Sequence, residues 1–261
     1  MSNVLSDWTF NGVHLSSFGA VTRLDSYLDM PPKRGDNILI PMAHGKTWVP
    51  KFYDTRIVSF GIEVIGTSII DLEQKMDALK LLLGVRTQEI LSNMFCEGPR
   101  IAWAEVLNQL GGTRDPDPLV ASVVLDFLLA DPFFRASVLT SDTKTIDASP
   151  KIYALHNPGT AEERKAIITL TGPLNIPTIT NTTNGVVLQY NGVLAAITDI
   201  VTIDCGLFTA VDETAAVVLD KIIHTGDSTF MAFVPGDNIL SVADGTATTG
   251  TVKIEFYPPY L

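Results

Sequence analysis

The feature that most constrains this chain is a two-residue alternation that recurs between turn-forming clusters. In Arg56–Ile65, Val58, Phe60, Ile62 and Val64 fall on one face, and Ser59, Gly61 and Glu63 fall on the other. Successive side chains of an extended chain point to opposite sides, so this pattern predicts a half-buried strand. Val120–Leu129 is a mostly apolar run rich in β-branched residues, which predicts a strand inside a sandwich. Further short β-like runs cover residues 166–170, 186–190, 200–204 and 216–223, and a last one covers 251–257 with Val252, Ile254 and Phe256 on one face. Gly, Pro, Asn and Asp clusters separate them. Many short strands with such punctuation predict a mainly β chain built of sandwiches or barrels.

One segment breaks the pattern. Leu72, Met76, Leu79 and Leu83 recur at helical spacing, Ser68 stands where an N-cap belongs, Asp71 follows three residues later, and Gly84 supplies a stop. These residues predict a single helix laid across one sheet to cover its core. Residues 30–50, MPPKRGDNILIPMAHGKTWVP, have prolines at both ends and glycines inside, which predicts a long loop or an exposed hairpin. This stretch carries Lys33, Arg34 and Lys46 in an otherwise acidic chain, and an arm reaching a neighbour would have this composition. After Asp131-Pro132-Phe133-Phe134-Arg135 the sequence turns polar, so we place the boundary between two domains at residue 138, giving 1–138 and 139–261.

Composition narrows the function. The chain has 261 residues, 46% hydrophobic and 18% charged, with 18 basic against 29 acidic residues and a net charge of −11. That is enough apolar material for a core, and it argues against disorder. A protein that grips a nucleic-acid backbone neutralises phosphates with clustered Lys and Arg. No such cluster exists, so sequence-specific nucleic-acid binding is not expected. The two cysteines, Cys96 and Cys205, form no CxxC and no disulfide framework, and are read as buried free thiols. Met1-Ser-Asn-Val-Leu-Ser-Asp-Trp lacks the basic flank and apolar core of a signal peptide, and the apolar stretch 120–130, interrupted by Ser122 and Asp126, is too short to span a bilayer. The expectation is a soluble protein with no membrane partner.

Apparent catalytic motifs dissolve on inspection. His44-Gly45-Lys46-Thr47 ends like a phosphate-binding loop, but Ile40 stands where that loop needs a glycine and Trp48-Val49-Pro50 follows in place of a helix start. Arg34-Gly35-Asp36 is an RGD tripeptide whose simpler role is a turn. His14, His44, His156 and His224 are scattered, with no second ligand at metal spacing. Asp115 and Asp117, and Asp212 with Glu213, are read as turn carboxylates. No cofactor, metal site or enzymatic activity is expected.

The C-terminal half carries the most distinctive pattern. Val201-Thr202-Ile203-Asp204 precedes a strand at 215–223, then Phe230-Met231-Ala232-Phe233 leads into Val234-Pro235-Gly236-Asp237-Asn238, and the chain closes on Phe256-Tyr257-Pro258-Pro259-Tyr260-Leu261. This order resembles the distal tail (Dit) proteins of siphophages, in which an aromatic strand and a "pGxN" turn (here Pro235, Gly236 and Asn238) come before the last two strands. Gly172 followed by Pro173-Leu174-Asn175-Ile176-Pro177-Thr178-Ile179 is similar to that family's early stretch, with Ile176 interrupting the Asn-Pro step. A short first strand at Phe10-Asn11-Gly12-Val13, the Pro/Gly-rich arm, the strand containing Arg56, the capped helix and the Asp131-Pro132-Phe133 close follow the family's N-terminal order.

The resemblance implies an N-terminal β-sandwich-like domain with one covering α-helix and an extended arm, followed by a galectin-like β-sandwich. It implies a ring, hexameric in such proteins, that joins the tail tube protein to the tail hub or tail-associated protein around the tape measure protein. The chain would fold in the host cytoplasm and reside at the virion tail tip. Lys33, Arg34, Asp36, His44, Lys46 and Trp48 become the candidate intersubunit arm, and the acidic charge would let DNA slide through a negative lumen. A carbohydrate-binding module is the alternative, weakened because Trp8, Trp48 and Trp103 all lie in the N-terminal half. Another ring-forming tail tube or baseplate protein, and a tail-tip hydrolase, are the remaining ones.

Overall fold

The computed structural model describes residues 8–25, 27–39, 44, 46–93, 98–107, 111–114, 117–225, 229–245 and 249–261. Cys96 and Asp115 lie outside them. The chain is mainly β and divides into two compact units, Met1–Phe134 with Leu261, and Arg135–Tyr260.

The first unit is built on an antiparallel sheet whose strands run in the order Val13–His14, Trp8–Phe10, Glu89–Asn93, Arg100–Val106, Val120–Leu129, Arg56–Ile65 and Ala20–Asp25. At its centre Val120–Leu129 pairs along the whole of Arg56–Ile65, setting Leu125 opposite Phe60 and Phe127 opposite Val58. A slip of one residue would turn every one of these side chains to the other face, so the apolar row fixes the register. Trp8, Phe10, Phe60, Phe127 and Phe134 are fully enclosed on the inner face. Trp8 and Phe60 meet edge to face at 5.0 Å and Phe60 and Phe127 at 5.5 Å, the arrangement the ring quadrupoles favour.

The predicted helix runs over Ile69–Leu83 and buries Leu72, Leu79 and Leu83 in the same core. Each such side chain contributes about 1.5–3 kcal/mol by leaving water. The ends differ in detail from the expectation. Ser68 Oγ accepts from the Asp71 amide at 3.2 Å, but the Asp71 carboxylate reaches past Ser68 to the Thr67 amide at 2.7 Å and the Thr67 hydroxyl at 3.0 Å. That hydrogen bonding, with Lys75 beside it, holds the Asp71 carboxyl below its usual range. Gly84 ends the helix at φ −73°, so the stop does not use the left-handed conformation open to glycine. Among the described residues no helix is long and apolar enough to cross a membrane.

The second unit is a β-sandwich. One five-stranded sheet has the order Thr140–Thr145, Thr251–Phe256, Ile167–Thr171, Ile200–Asp204 and Thr209–Asp212. The other has Lys151–Asn157, Gly236–Ala243, Thr178–Asn181, Val186–Tyr190 and Ile222–His224. Ile168, Leu170, Val201, Ile203, Val252 and Ile254 from the first pack in one core with Leu155, Ile179, Leu188, Leu240 and Val242 from the second. The outermost strand of the first sheet, Thr140–Thr145, carries only threonines, a serine and the Lys144–Asp142 pair at 2.8 Å.

Three sequence expectations are corrected. Residues 216–223 do not form one strand: a 3-10 turn over Leu219–Lys221 comes first, and the strand is Ile222–His224. Phe230-Met231-Ala232-Phe233 is no sheet strand either, although it is buried throughout. Phe10-Asn11-Gly12-Val13 is the turn of a hairpin, with Phe10 paired to Val13.

Candidate functional site

Among the described residues no group of three or more His, Cys, Asp or Glu is placed to hold a metal. Asp212 Oδ1 accepts from the Thr214 and Ala216 amides, both at 2.9 Å, and Glu213 reaches the Ile200 amide at 3.3 Å. Asp117 accepts from the Leu119 amide at 2.9 Å. These carboxylates build turns. Burial pushes the Cys205 thiol up to about 12, which keeps it un-ionised and inert.

The described parts of the arm pair as antiparallel strands. Lys33 and Arg34 pair with Tyr53 and Phe52, and further out Ile38 and Leu39 pair with Thr47 and Lys46. Opposed residues of an antiparallel ladder share a face, so each cation stands beside an apolar or aromatic partner. Lys33 Nζ lies 5.6 Å from the centre of the Tyr53 ring. Lys33, Arg34, Asp36, His44, Lys46 and Trp48 are all exposed. The unforeseen companions are apolar: Ile38 is 63% exposed, Leu39 69% and Trp48 70%, with Met30 and Phe52 also open to water. Scattered exposed apolar side chains are ordinary, whereas here several of them are gathered along one stretch of chain.

The base of the arm is held firmly. Arg56 is 2% exposed and donates through Nη2 to the Tyr27 carbonyl and, at 2.6 Å, to the Asp29 carbonyl. Its guanidinium lies 5.5 Å from the Phe134 ring, and burial lowers its proton affinity. On the returning side Tyr53 meets Phe133 edge to face at 5.5 Å, and the Asp54 amide bonds the Pro32 carbonyl at 2.7 Å. Both chains at the foot are therefore fixed before the hairpin leaves the body of the unit.

The C-terminal turn residues do something else. Pro235 is exposed, Gly236 has φ +87°, and Asn238 is buried. The Asn238 side chain accepts from the Val234 amide at 2.9 Å and donates to the Val234 and Gly236 carbonyls at 2.8 and 3.2 Å. Gly236 is required where the chain turns left-handed, and asparagine is required where one side chain must satisfy both a donor and an acceptor. The irregular segment before the turn is held the same way. Ala232 O accepts from Asn181 and Asn184, Phe233 O accepts from Asn157, and Met231 O accepts from the Thr229 hydroxyl. A buried backbone outside a sheet needs such partners. The motif is thus a structural clamp, which the sequence order alone did not reveal.

The fold, a helix-covered antiparallel sheet with a hairpin arm followed by a two-sheet sandwich, is similar to that of a phage Dit protein. One solved structure that it matches is the crystal structure of the Dit protein (gp 19.1) of phage SPP1, described as a paradigm of the hub adsorption apparatus in phages infecting Gram-positive hosts. The TM-score is 0.70 at 13% identity, covering 96% of this chain and 98% of that one. Structures of the phage p2 baseplate in its activated conformation, with Sr and with Ca, align at a TM-score of 0.40 and 7% identity. They cover 96% and 95% of this chain, and 90% of the matched chain in each case. No family model and no curated protein sequence matches the chain.

Proposed function

We propose that this protein is a structural component of a phage tail tip, a distal tail protein whose copies form a hexameric ring between the tail tube protein and the hub or tail-associated protein. The observation that supports this most is the full-length fold correspondence with SPP1 Dit, the hub protein named above. In this reading the protein is not an enzyme and the sandwich is galectin-like. The tape measure protein runs through the ring, and the ring's acidic lumen passes DNA without binding it.

The arm fits the same reading. A closed ring repeats one heterologous contact, so each subunit presents two different patches to its neighbours. Exposed Ile38, Leu39 and Trp48 supply apolar surface to bury, and Lys33, Arg34 and Lys46 suit the acidic body of a second copy in a chain of net charge −11.

The test is the solution mass by light scattering over a wide concentration range, followed by negative-stain imaging, for the protein alone and mixed with tail tube protein. A closed ring with a central channel is expected. A species that stays monomeric in both conditions overturns the ring. In that case a glycan array becomes the next measurement, for the carbohydrate-binding alternative.

A further inference from the structure

The sequence contains three Asn-Gly steps, Asn11-Gly12, Asn184-Gly185 and Asn191-Gly192, and the fold treats them very differently. We propose that Asn11 is a site of spontaneous deamidation in the folded protein, and that the other two are shielded by their surroundings.

The chemistry sets the structural requirement. The Gly amide nitrogen, on losing its proton to water or hydroxide, attacks Cγ of the preceding asparagine. The Cγ–Nδ2 bond breaks, ammonia leaves, and a five-membered succinimide closes. Water then opens the ring at either carbonyl, giving aspartate or isoaspartate, with no change of oxidation state. The attacking nitrogen must be unbonded, the asparagine amide must be free to rotate towards it, and the backbone must have room to bend.

Asn11-Gly12 meets all three conditions. The two residues form the tip of the Trp8–Phe10 and Val13–His14 hairpin, with φ +48° and +74°, the left-handed pair that a two-residue turn demands. Both are exposed, and the space where a Gly12 side chain would stand is open to at least 4 Å. The Asn11 amide is held by the Ile90 carbonyl at 2.9 Å, but no described group bonds the Gly12 amide or the Asn11 side chain. The outer strand of the hairpin is two residues long, exposed, and at the edge of its sheet, so local bending disturbs little else.

Asn184-Gly185 fails the first two conditions, although Gly185 itself is open. The Gly185 amide donates to the Asn181 carbonyl at 2.8 Å. Asn184 Nδ2 donates to the buried Ala232 carbonyl at 2.9 Å, and its Oδ1 accepts from the Val186 amide at 3.1 Å. Asn191-Gly192 lies between the two. Asn191 is exposed, but its own amide is tied to the Lys221 carbonyl, the Gly192 carbonyl accepts from the Ile176 amide, and the Tyr190 ring fills the space above Gly192 Cα.

The product matters to the fold. Isoaspartate adds a methylene to the main chain, turning a two-residue loop that sets the strand register into a longer one. Either product adds a negative charge at the hairpin tip.

The test holds the purified full-length protein at 37 °C in mildly alkaline buffer, beside a sample unfolded in urea. Aspartate and isoaspartate at the three positions are followed by peptide mapping and isoaspartyl methyltransferase labelling. The unfolded sample fixes the intrinsic rate at each sequence, so the ratio of the two rates reports structure alone. The expected result is a ratio near one for Asn11, and slowing of more than about tenfold for Asn184, whose reaction must wait for the sandwich to open. Asn191 is expected between them. If folding slows Asn11 as much as Asn184, or if Asn191 is the first to react in the folded chain, the assignment is wrong.

Discussion

The Asn181 side-chain amide donates to Asn238 Oδ1 at 3.0 Å, and this contact joins two devices that hold one segment. Asn181 anchors Ala232, and Asn238 anchors Val234. Replacing Asn238 by Ala orphans the Val234 amide and two carbonyls at once, and is expected to cost about 2–3 kcal/mol. Asn184→Ala leaves Ala232 O still bonded to Asn181, and is expected to cost about 1 kcal/mol. Urea denaturation of the two variants should rank them in that order; equal losses would contradict the clamp.

Arg135 Nη1 lies 2.5 Å from Glu163 Oε2 and 2.9 Å from the Tyr257 carbonyl, with both side chains almost wholly enclosed. Glu163 also takes the Lys165 amide through its other oxygen. Removing one partner of such a pair leaves a buried charge uncompensated. Arg135→Met alone is therefore expected to destabilise by about 3–5 kcal/mol. The double variant Arg135→Met with Glu163→Leu should recover part of that loss, and a double-mutant cycle by denaturation is the check.

Cys205 offers a pH test. Its thiol stays protonated in the folded protein up to about 12, against an ordinary 9.0, because it is buried. Above pH 9 the unfolded chain releases this proton while the folded chain keeps it, so the contribution to stability is intact below 9 and is lost as pH rises towards 12. At neutral pH the folded thiol should resist alkylation and react only on unfolding. Mass mapping of the Cys205 peptide reads this directly, and rapid labelling of the native protein would refute it.

The helix start gives a smaller effect. Ser68→Ala removes the cap on the Asp71 amide and is expected to cost about 1 kcal/mol. The Asp71 carboxyl, held low first by the Thr67 amide, supports the helix above its ordinary value of 3.8 and withdraws that support as pH falls through its lowered value. An NMR titration should find Asp71 titrating below the unfolded-chain reference.

These residues also mark what the sequence could tell. The alternation in Arg56–Ile65 and the stripe Leu72, Leu79 and Leu83 were legible because one face of each element is buried and the other is wet. Residues 230–233 were matched to the family's aromatic strand by resemblance, but their hydrogen bonds go to side chains from other elements, and no local pattern encodes those partners. Arg56 looked like one polar residue at a strand end. Its place beneath the arm depends on Tyr27 and Asp29, almost thirty positions earlier in the chain. The arm itself was legible as a Pro/Gly-rich basic loop. Its apolar exposure was not, because the short run Ile38-Leu39-Ile40 carries no period that says which way its side chains face.

The arm also makes a prediction separable from the fold. Ile38→Ser with Trp48→Ser replaces side chains that touch water, so the melting temperature should stay within about a degree or two of the parent, as for surface substitutions. Any assembly that buries the hairpin should weaken strongly. Light scattering beside calorimetry separates the two, and unchanged assembly would remove the arm from the interface.

The polar border strand Thr140–Thr145 has a consequence for the time before any partner is met. Open sheet borders invite pairing with whatever strand drifts past. This one offers hydroxyls and a self-satisfied Lys144–Asp142 pair, with no oily side chain to seal a chance encounter. A crowded pool of freshly made copies is thereby kept from zipping together along that rim.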